Sequence, residues 1–153
     1  MPSPSDTPPS EAAQALAERT HDALWRDDFA SQCLGMEKLA VGPGHARFAM
    51  TVRREMLNGF GICHGGYLTT FGDTAMAFAS NSHDVMAVAT NLAVDFIASA
   101  REGDRLVAEA QERARTRRTA VYDVTVTTAE GSLIAIMRGR VQRIPDRRVT
   151  GDA

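Results

Sequence analysis

Hydrophobic and polar positions alternate in two distinct rhythms along the chain. From Tyr67 to Ser82, Leu68, Phe71, Ala75, Phe78 and Ser82 recur at steps of three and four. That spacing keeps one stripe on one face of a helix and predicts a long helix over about 65–82. Beyond it the period drops to two. Met86, Val88, Thr90, Leu92, Val94 and Phe96 alternate, as do Leu106, Ala108 and Ala110, then Tyr122, Val124 and Val126, then Leu133, Ala135 and Met137. These read as four long strands in a meander, the last running to about Ile144. Turn residues separate them at Arg101-Glu102-Gly103-Asp104 and Ala129-Glu130-Gly131-Ser132. Upstream, Met36–Val41 and His45–Val52 flank Gly42-Pro43-Gly44 and predict a hairpin. A helix is expected from Glu11 to about Asp27 with Ser10 as N-cap; its apolar period is loose, so it should lean on something larger.

Residues 1–9 hold four of the six prolines and read as a disordered tail. Residues 10–144 form the expected single domain, and 145–153 a polar C-terminal tail. The order of hairpin, central helix and strands predicts an α+β fold: about six antiparallel strands wrapped around one long helix, with an additional N-terminal helix.

Composition narrows the function. The chain has 153 residues, 44% hydrophobic and 24% charged, with a formal net charge of -2. These values fit one globular domain and disfavour a general nucleic-acid binder, which carries a basic excess. No apolar run approaches a membrane span, and the N-terminus has no signal-peptide pattern. Two cysteines, Cys33 and Cys63, fit a reducing cytoplasm. The four histidines show no paired metal-ligand spacing, so no metal is expected. Cys63 beside His64 does not make a nucleophile pair, because neighbours in sequence rarely align thiol and ring for proton transfer.

The central helix holds an anomaly. Between His64 and Ser82 the one formal charge, with His neutral, is Asp73. It lies about 200° around the helix from both Phe71 and Ala75. Its own face carries Gly66, Thr69, Thr70, Met76, Ala77 and Ser80, without a Lys, Arg, Glu or Gln. A lone carboxylate on a small-residue face suits a covered surface and a chemical task better than solvent. Gly65 and Gly66 open the helix, where unpaired backbone N–H groups and the helix dipole favour negative charge. A developing oxyanion suits that place. Eight residues separate Gly65 from Asp73, roughly 12 Å along the axis. One helix cannot bring both to one carbonyl carbon, so joint action requires two chains in a two-fold dimer.

Leu57-Asn58-Gly59, Cys63-His64-Gly65-Gly66, Gly72-Asp73-Thr74-Ala75-Met76-Ala77 and Asn81-Ser82 resemble the hotdog-fold acyl-CoA thioesterases. Among these the phenylacetyl-CoA thioesterases of bacterial phenylacetate degradation are the nearest. Val94-Asp95-Phe96-Ile97, Glu102-Gly103-Asp104, Val121-Tyr122-Asp123-Val124 and Met137-Arg138-Gly139-Arg140 extend the resemblance over about residues 50–144.

The resemblance implies hydrolysis of an acyl-CoA without a cofactor, coenzyme A being part of the substrate, by a homodimer paired into a tetramer. It implies Asp73 as general base or nucleophile and the Gly65 N–H of the opposite subunit as polariser of the carbonyl. Asn58 is implied near the water or carbonyl, and His64 as support for the loop. Gly66, Thr74, Met76 and Thr90 are the implied substrate contacts. A second aromatic-CoA branch carries a hydroxyl four residues after its carboxylate; Ala77 stands there in this chain. Arg113, Arg115 and Arg117 alternate and are candidates for the CoA phosphates. The rival readings are a non-catalytic acyl-CoA sensor on the same fold, a thioesterase for another acyl group, and a hotdog dehydratase or hydratase. The dehydratase motif of His with Asp or Glu is not found.

Overall fold

A computed structural model describes residues 8–151. The expected N-terminal tail therefore lies mostly outside the described residues. Helix α1 (Glu11–Trp25) starts at Ser10, whose side chain accepts a hydrogen bond from the Ala13 N–H. Its buried residues are Ala17, Thr20 and His21, and Trp25 and His21 stack into a cluster with Phe48 and Phe78. The loose apolar period of α1 is thus explained by one narrow line of contact. A short helix α2 (Phe29–Cys33) follows, which the hydrophobic pattern does not predict. It is too short for periodicity to register, and its signal is the cap: Asp28 accepts from the Ser31 N–H.

The hairpin is β1 (Glu37–Gly42) and β2 (His45–Thr51). After a 3₁₀ turn at Arg54–Met56 and the glycine-rich loop comes α3 (Gly65–Asn81). Then follow β3 (Ala87–Phe96), β4 (Arg105–Arg115), β5 (Thr119–Thr128) and β6 (Leu133–Arg143). All pairs are antiparallel and form one sheet in the order β1-β2-β4-β5-β6-β3.

This order corrects the expected meander of four strands. Only β4, β5 and β6 run as one; β3 crosses to pair with β6 and becomes an edge. Hydrophobic alternation specifies which face of a strand is buried, but not which strand lies beside it. The even alternation expected along β3 also fails. The register shifts between Ala89 and Asn91, and every residue of β3 from Val88 to Asn91 is exposed. Such a bulge reverses the sense of the side chains beyond it.

The core lies where the sheet curves over α3. Leu68, Phe71, Ala75 and Phe78 face Phe48, Leu106, Tyr122, Val124 and Met137, all buried. Close approach of helix and sheet depends on two glycines: a Cβ at Gly72 would fall on Met137, and one at Gly139 on Met76. At the far end of α3, Asn81 binds the backbone of Ala87 through both its amide atoms and so fixes the start of β3. The segment after β6 folds back: the Met86 N–H donates to the Arg147 carbonyl, and Asp84 accepts from the Val149 and Thr150 N–H groups. No described helix is long and apolar enough to cross a membrane.

Candidate active site

The glycine-rich loop shapes the N-terminal end of α3. Asn58 Oδ1 accepts from the Phe60 N–H at 2.9 Å, and the Asn58 N–H donates to the Ile62 carbonyl at 2.8 Å. The loop therefore uses the amide oxygen of Asn58 and leaves its Nδ2 group without an acceptor among the described residues. His64 is the N-cap of α3, and its Nδ1 accepts from the Gly66 N–H at 2.9 Å. That bond commits Gly66 to the cap. No acceptor among the described residues takes the Gly65 N–H, which the helix leaves unpaired. The Phe96 ring lies over Gly65, where a Cβ would come within 2.8 Å of it. Asn58, Gly65 and Phe96 line one cavity of about 340 Å³. Two N–H donors thus sit in one partly apolar recess.

Asp73 stands elsewhere. It is half-buried, and among the described residues no hydrogen bond or ion pair reaches its carboxylate. Burial pushes its pKa above the ordinary carboxylate value, since the charged form loses solvation without gaining a partner. It lines two cavities that meet at its side chain. One, of about 370 Å³, is walled by Thr69, Thr70, Thr90 and Asn91. The other, of about 440 Å³, is mainly apolar and includes Met76, Ala77, Met86 and Val141.

The sequence-derived candidates divide accordingly. Asn58, Gly65, His64 and Gly66 gather at the helix start. Asp73, Met76 and Thr90 gather along its middle. Within one chain Asn58 and Gly65 line one cavity and Asp73, Met76 and Thr90 line others, while His64 and Gly66 line none of the three. Thr90 sits in the β3 bulge and donates to the Arg140 carbonyl at 3.2 Å. Met76 is fully buried over Gly139 as well as lining the apolar cavity. Thr74 lines none of the three cavities. It faces α2, where its hydroxyl meets Ser31 Oγ at 2.9 Å and Ser31 in turn binds Asp28.

The three arginines do not share a face, because the register of β4 shifts between Glu112 and Ala114. Arg113 binds Asp123 together with Arg138. Arg115 turns to Glu112, which also accepts from Tyr122 and pairs with His83. Arg117 lies in the turn after β4, and none of the three lines these cavities. Among the described residues no group of three or more His, Cys, Asp or Glu could hold a metal ion.

The sequence and the fold are both similar to those of known proteins. Residues 60–135 match the model of the thioesterase superfamily. The chain is 37% identical over 131 residues to the acyl-coenzyme A thioesterase PaaI of Escherichia coli K12, covering 86% of this chain and 93% of that protein. The chain belongs to the thioesterase superfamily. This thioesterase has the hotdog fold, and it superposes on the E. coli PaaI structure with a TM-score of 0.85 at 36% identity, over 86% of this chain and 96% of that one. It also matches the smu.793 protein of Streptococcus mutans, solved bound to acetyl CoA, with a TM-score of 0.71 at 26% identity over 74% and 91% of the two chains. Two features are not legible in the hydrophobic pattern: α2, whose one sequence signal is the Asp28 cap, and the C-terminal fold-back, which rests on the contacts of Asp84 with Val149 and Thr150.

Proposed function

We propose that this thioesterase hydrolyses acyl-CoA, with phenylacetyl-CoA or hydroxyphenylacetyl-CoA as its preferred class, to the free acid and CoA. The observation that carries the reading is Asp73: a half-buried carboxylate with no partner among the described residues, standing where two cavities meet. The likeness to E. coli PaaI, described as a product of the phenylacetic acid degradation operon, supports the acyl class. The S. mutans relative bound to acetyl CoA supports CoA as the carrier.

In this reading two copies pair about a two-fold axis with their α3 helices antiparallel. Gly65 and Asn58 of one copy then meet Asp73 of the other. Asp73 takes a proton from water held beside Thr90, and the hydroxide attacks the thioester carbonyl carbon. The carbonyl oxygen gathers negative charge opposite the Gly65 N–H, whose helix terminus favours it, and Asn58 Nδ2 adds a second donor. The intermediate collapses, the C–S bond breaks, and the Asp73 carboxyl returns its proton to the departing CoA thiolate. Burial of Asp73 supports the base role, since a raised pKa strengthens the base. The free thiols of Cys33 and Cys63 suit a reducing cytoplasm, and pairing of dimers into a tetramer accompanies the family resemblance.

Thiol release from a panel of phenylacetyl-, hydroxyphenylacetyl-, benzoyl-, short-chain and long-chain acyl-CoAs tests the proposal. Turnover is expected to be fastest with the arylacetyl esters. Binding of every ester without release of CoA would point instead to a sensor.

A further inference from the structure

The two cavities at Asp73 differ in extent and in the side chains that line them, and the difference follows the helix. Toward the N-terminal end of α3, three and four residues back, stand Thr70 and Thr69, with Thr90 and Asn91 opposite. Toward the C-terminal end, three, four and eight residues on, stand Met76, Ala77 and Asn81. The apolar cavity therefore runs along one helix face for roughly 12 Å from Asp73. An apolar acyl group attached to a carbonyl at Asp73 loses contact with water by entering this side. The smaller side, where Thr69, Thr70 and Thr90 stand, is left for water and the CoA chain.

Val149, in the segment after β6, lines this cavity together with Leu24, Arg26 and Asp27 of α1 and the loop after it, and Arg148 beside it. Val149 is held by an uncommon device. Asp84 is 6% exposed and adopts left-handed backbone, φ 54°, a conformation that aspartate, like asparagine, takes more readily than most residues other than glycine. Its Oδ1 accepts from the Val149 and Thr150 N–H groups at 3.1 and 3.0 Å, and its Oδ2 from Thr150 Oγ1 at 3.1 Å. Met86, also in the cavity wall, donates its N–H to the Arg147 carbonyl at 2.9 Å. A buried carboxylate satisfied by three donors fixes the strap Arg147–Thr150 rather than leaving it to fray.

We propose that the apolar cavity receives the acyl group and that the Asp84-clasped strap, through Val149, is the wall that limits its size. The inference rests on the acyl-CoA hydrolase reading, and its test separates the two. One extra or missing methylene in an apolar pocket changes selectivity by roughly 10–200-fold. Narrowing the wall with Val149→Phe is expected to lower the decanoyl-to-acetyl ratio of kcat/KM at least tenfold. Val149→Ala, and Asp84→Gly, which keeps the backbone conformation and removes the clasp, are expected to raise it.

Leu24→Phe narrows the same cavity from α1 and is expected to act like Val149→Phe should that variant fail to fold. In parallel, affinities for S-ethyl- and S-decyl-CoA thioethers, which cannot be hydrolysed, are measured by calorimetry. The decyl preference is expected to fall in the narrowed variants. If no ester is hydrolysed while the thioether preference still follows Val149, the hydrolase reading fails and the pocket stands. If both ratios stay unchanged in the folded variants, or the thioethers bind equally whatever their length, the pocket assignment is overturned.

Discussion

On the sheet-facing side of α3, Leu68, Phe71, Ala75 and Phe78 are all at most 3% exposed and packed against β2, β4 and β5. On the other side Asp73 stands half-buried beside small residues, with no partner among the described residues, between two cavities. The first face is closed to water and the second only partly so, and burial acts on the two in opposite senses. The first gains free energy from burial. The second loses it, because a carboxylate is desolvated without compensation. One helix thus separates a face that stabilises the fold from one whose arrangement suits a reaction, and substitutions on the two should divide activity from stability.

The largest effects should fall on opposite sides of that divide. Asp73→Asn is expected to lower kcat ~10³-fold or more with the fold intact, because a general base or nucleophile acts on the barrier; near-normal turnover of thioesters would sink the assignment. Phe71→Ala is expected to cost about 3–5 kcal/mol of stability in denaturant unfolding, through lost burial and a cavity. The remaining folded molecules should keep their turnover number.

Next in size is Gly65→Ala. It retains the N–H but drives a Cβ into the Phe96 ring. A shift of about 1 Å at a reacting centre costs on the order of 10²-fold, so kcat should fall by about that factor while the melting temperature moves little. Equal turnover in the two proteins would remove Gly65 from the site.

A smaller effect is a gain. The folded-state pKa of Asp73 lies above its ordinary value of 3.8 because of burial. The folded state then binds a proton that the unfolded state has released. The stability tied to this group is present below pH 3.8 and is lost as pH rises through the folded value. Asp73→Asn should therefore melt higher than the parent at pH 7, and the gap should close near pH 3.5. A parent as stable as the variant at both pH values would show that Asp73 is not strained by burial.

His21 makes the contrasting case of a buried polar group serving the fold. Its ring is packed among Trp25, Phe48 and Phe78, and Nε2 has no partner. Burial lowers its pKa below 6.5. Stability linked to His21 is present above pH 6.5 and is lost as pH falls below it toward the folded value. Thermal melts between pH 7 and 5 should show a fall that His21→Phe reduces, with acyl-CoA turnover at pH 7.5 preserved.

The divide also marks what was legible. Period-three-and-four spacing from Leu68 to Ser82 located the core stripe of α3, and period-two spacing located the strands, because burial leaves a repeating mark. Asp73 was visible as a charge on an otherwise uncharged helical face, and the Gly65-Gly66 pair as a helix start. Alternation of Arg113, Arg115 and Arg117 reads as one face, but a bulge between Glu112 and Ala114 breaks it: Arg113 binds Asp123, Arg115 binds Glu112, and Arg117 lies in the turn after β4. The bulge in β3 had the same effect on Val88 and Thr90. Thr74 was carried along with its motif, yet its hydroxyl bonds to Ser31 on α2.

By itself the sequence determined α1, the long helix, the six strands, the lone carboxylate and the eight residues between it and Gly65. Those are local properties of spacing and side-chain chemistry. Tertiary structure alone decided that β3 crosses to the edge beside β6, that Asp73 lies between two cavities, and that the C-terminal strap lines the larger of them. Each depends on contacts between residues far apart in the chain, such as Asp84 with Thr150 and Asn91 with Arg140. Strand partners are selected by the packing of the whole sheet around α3, and cavities form where that packing is left incomplete; no local pattern encodes either.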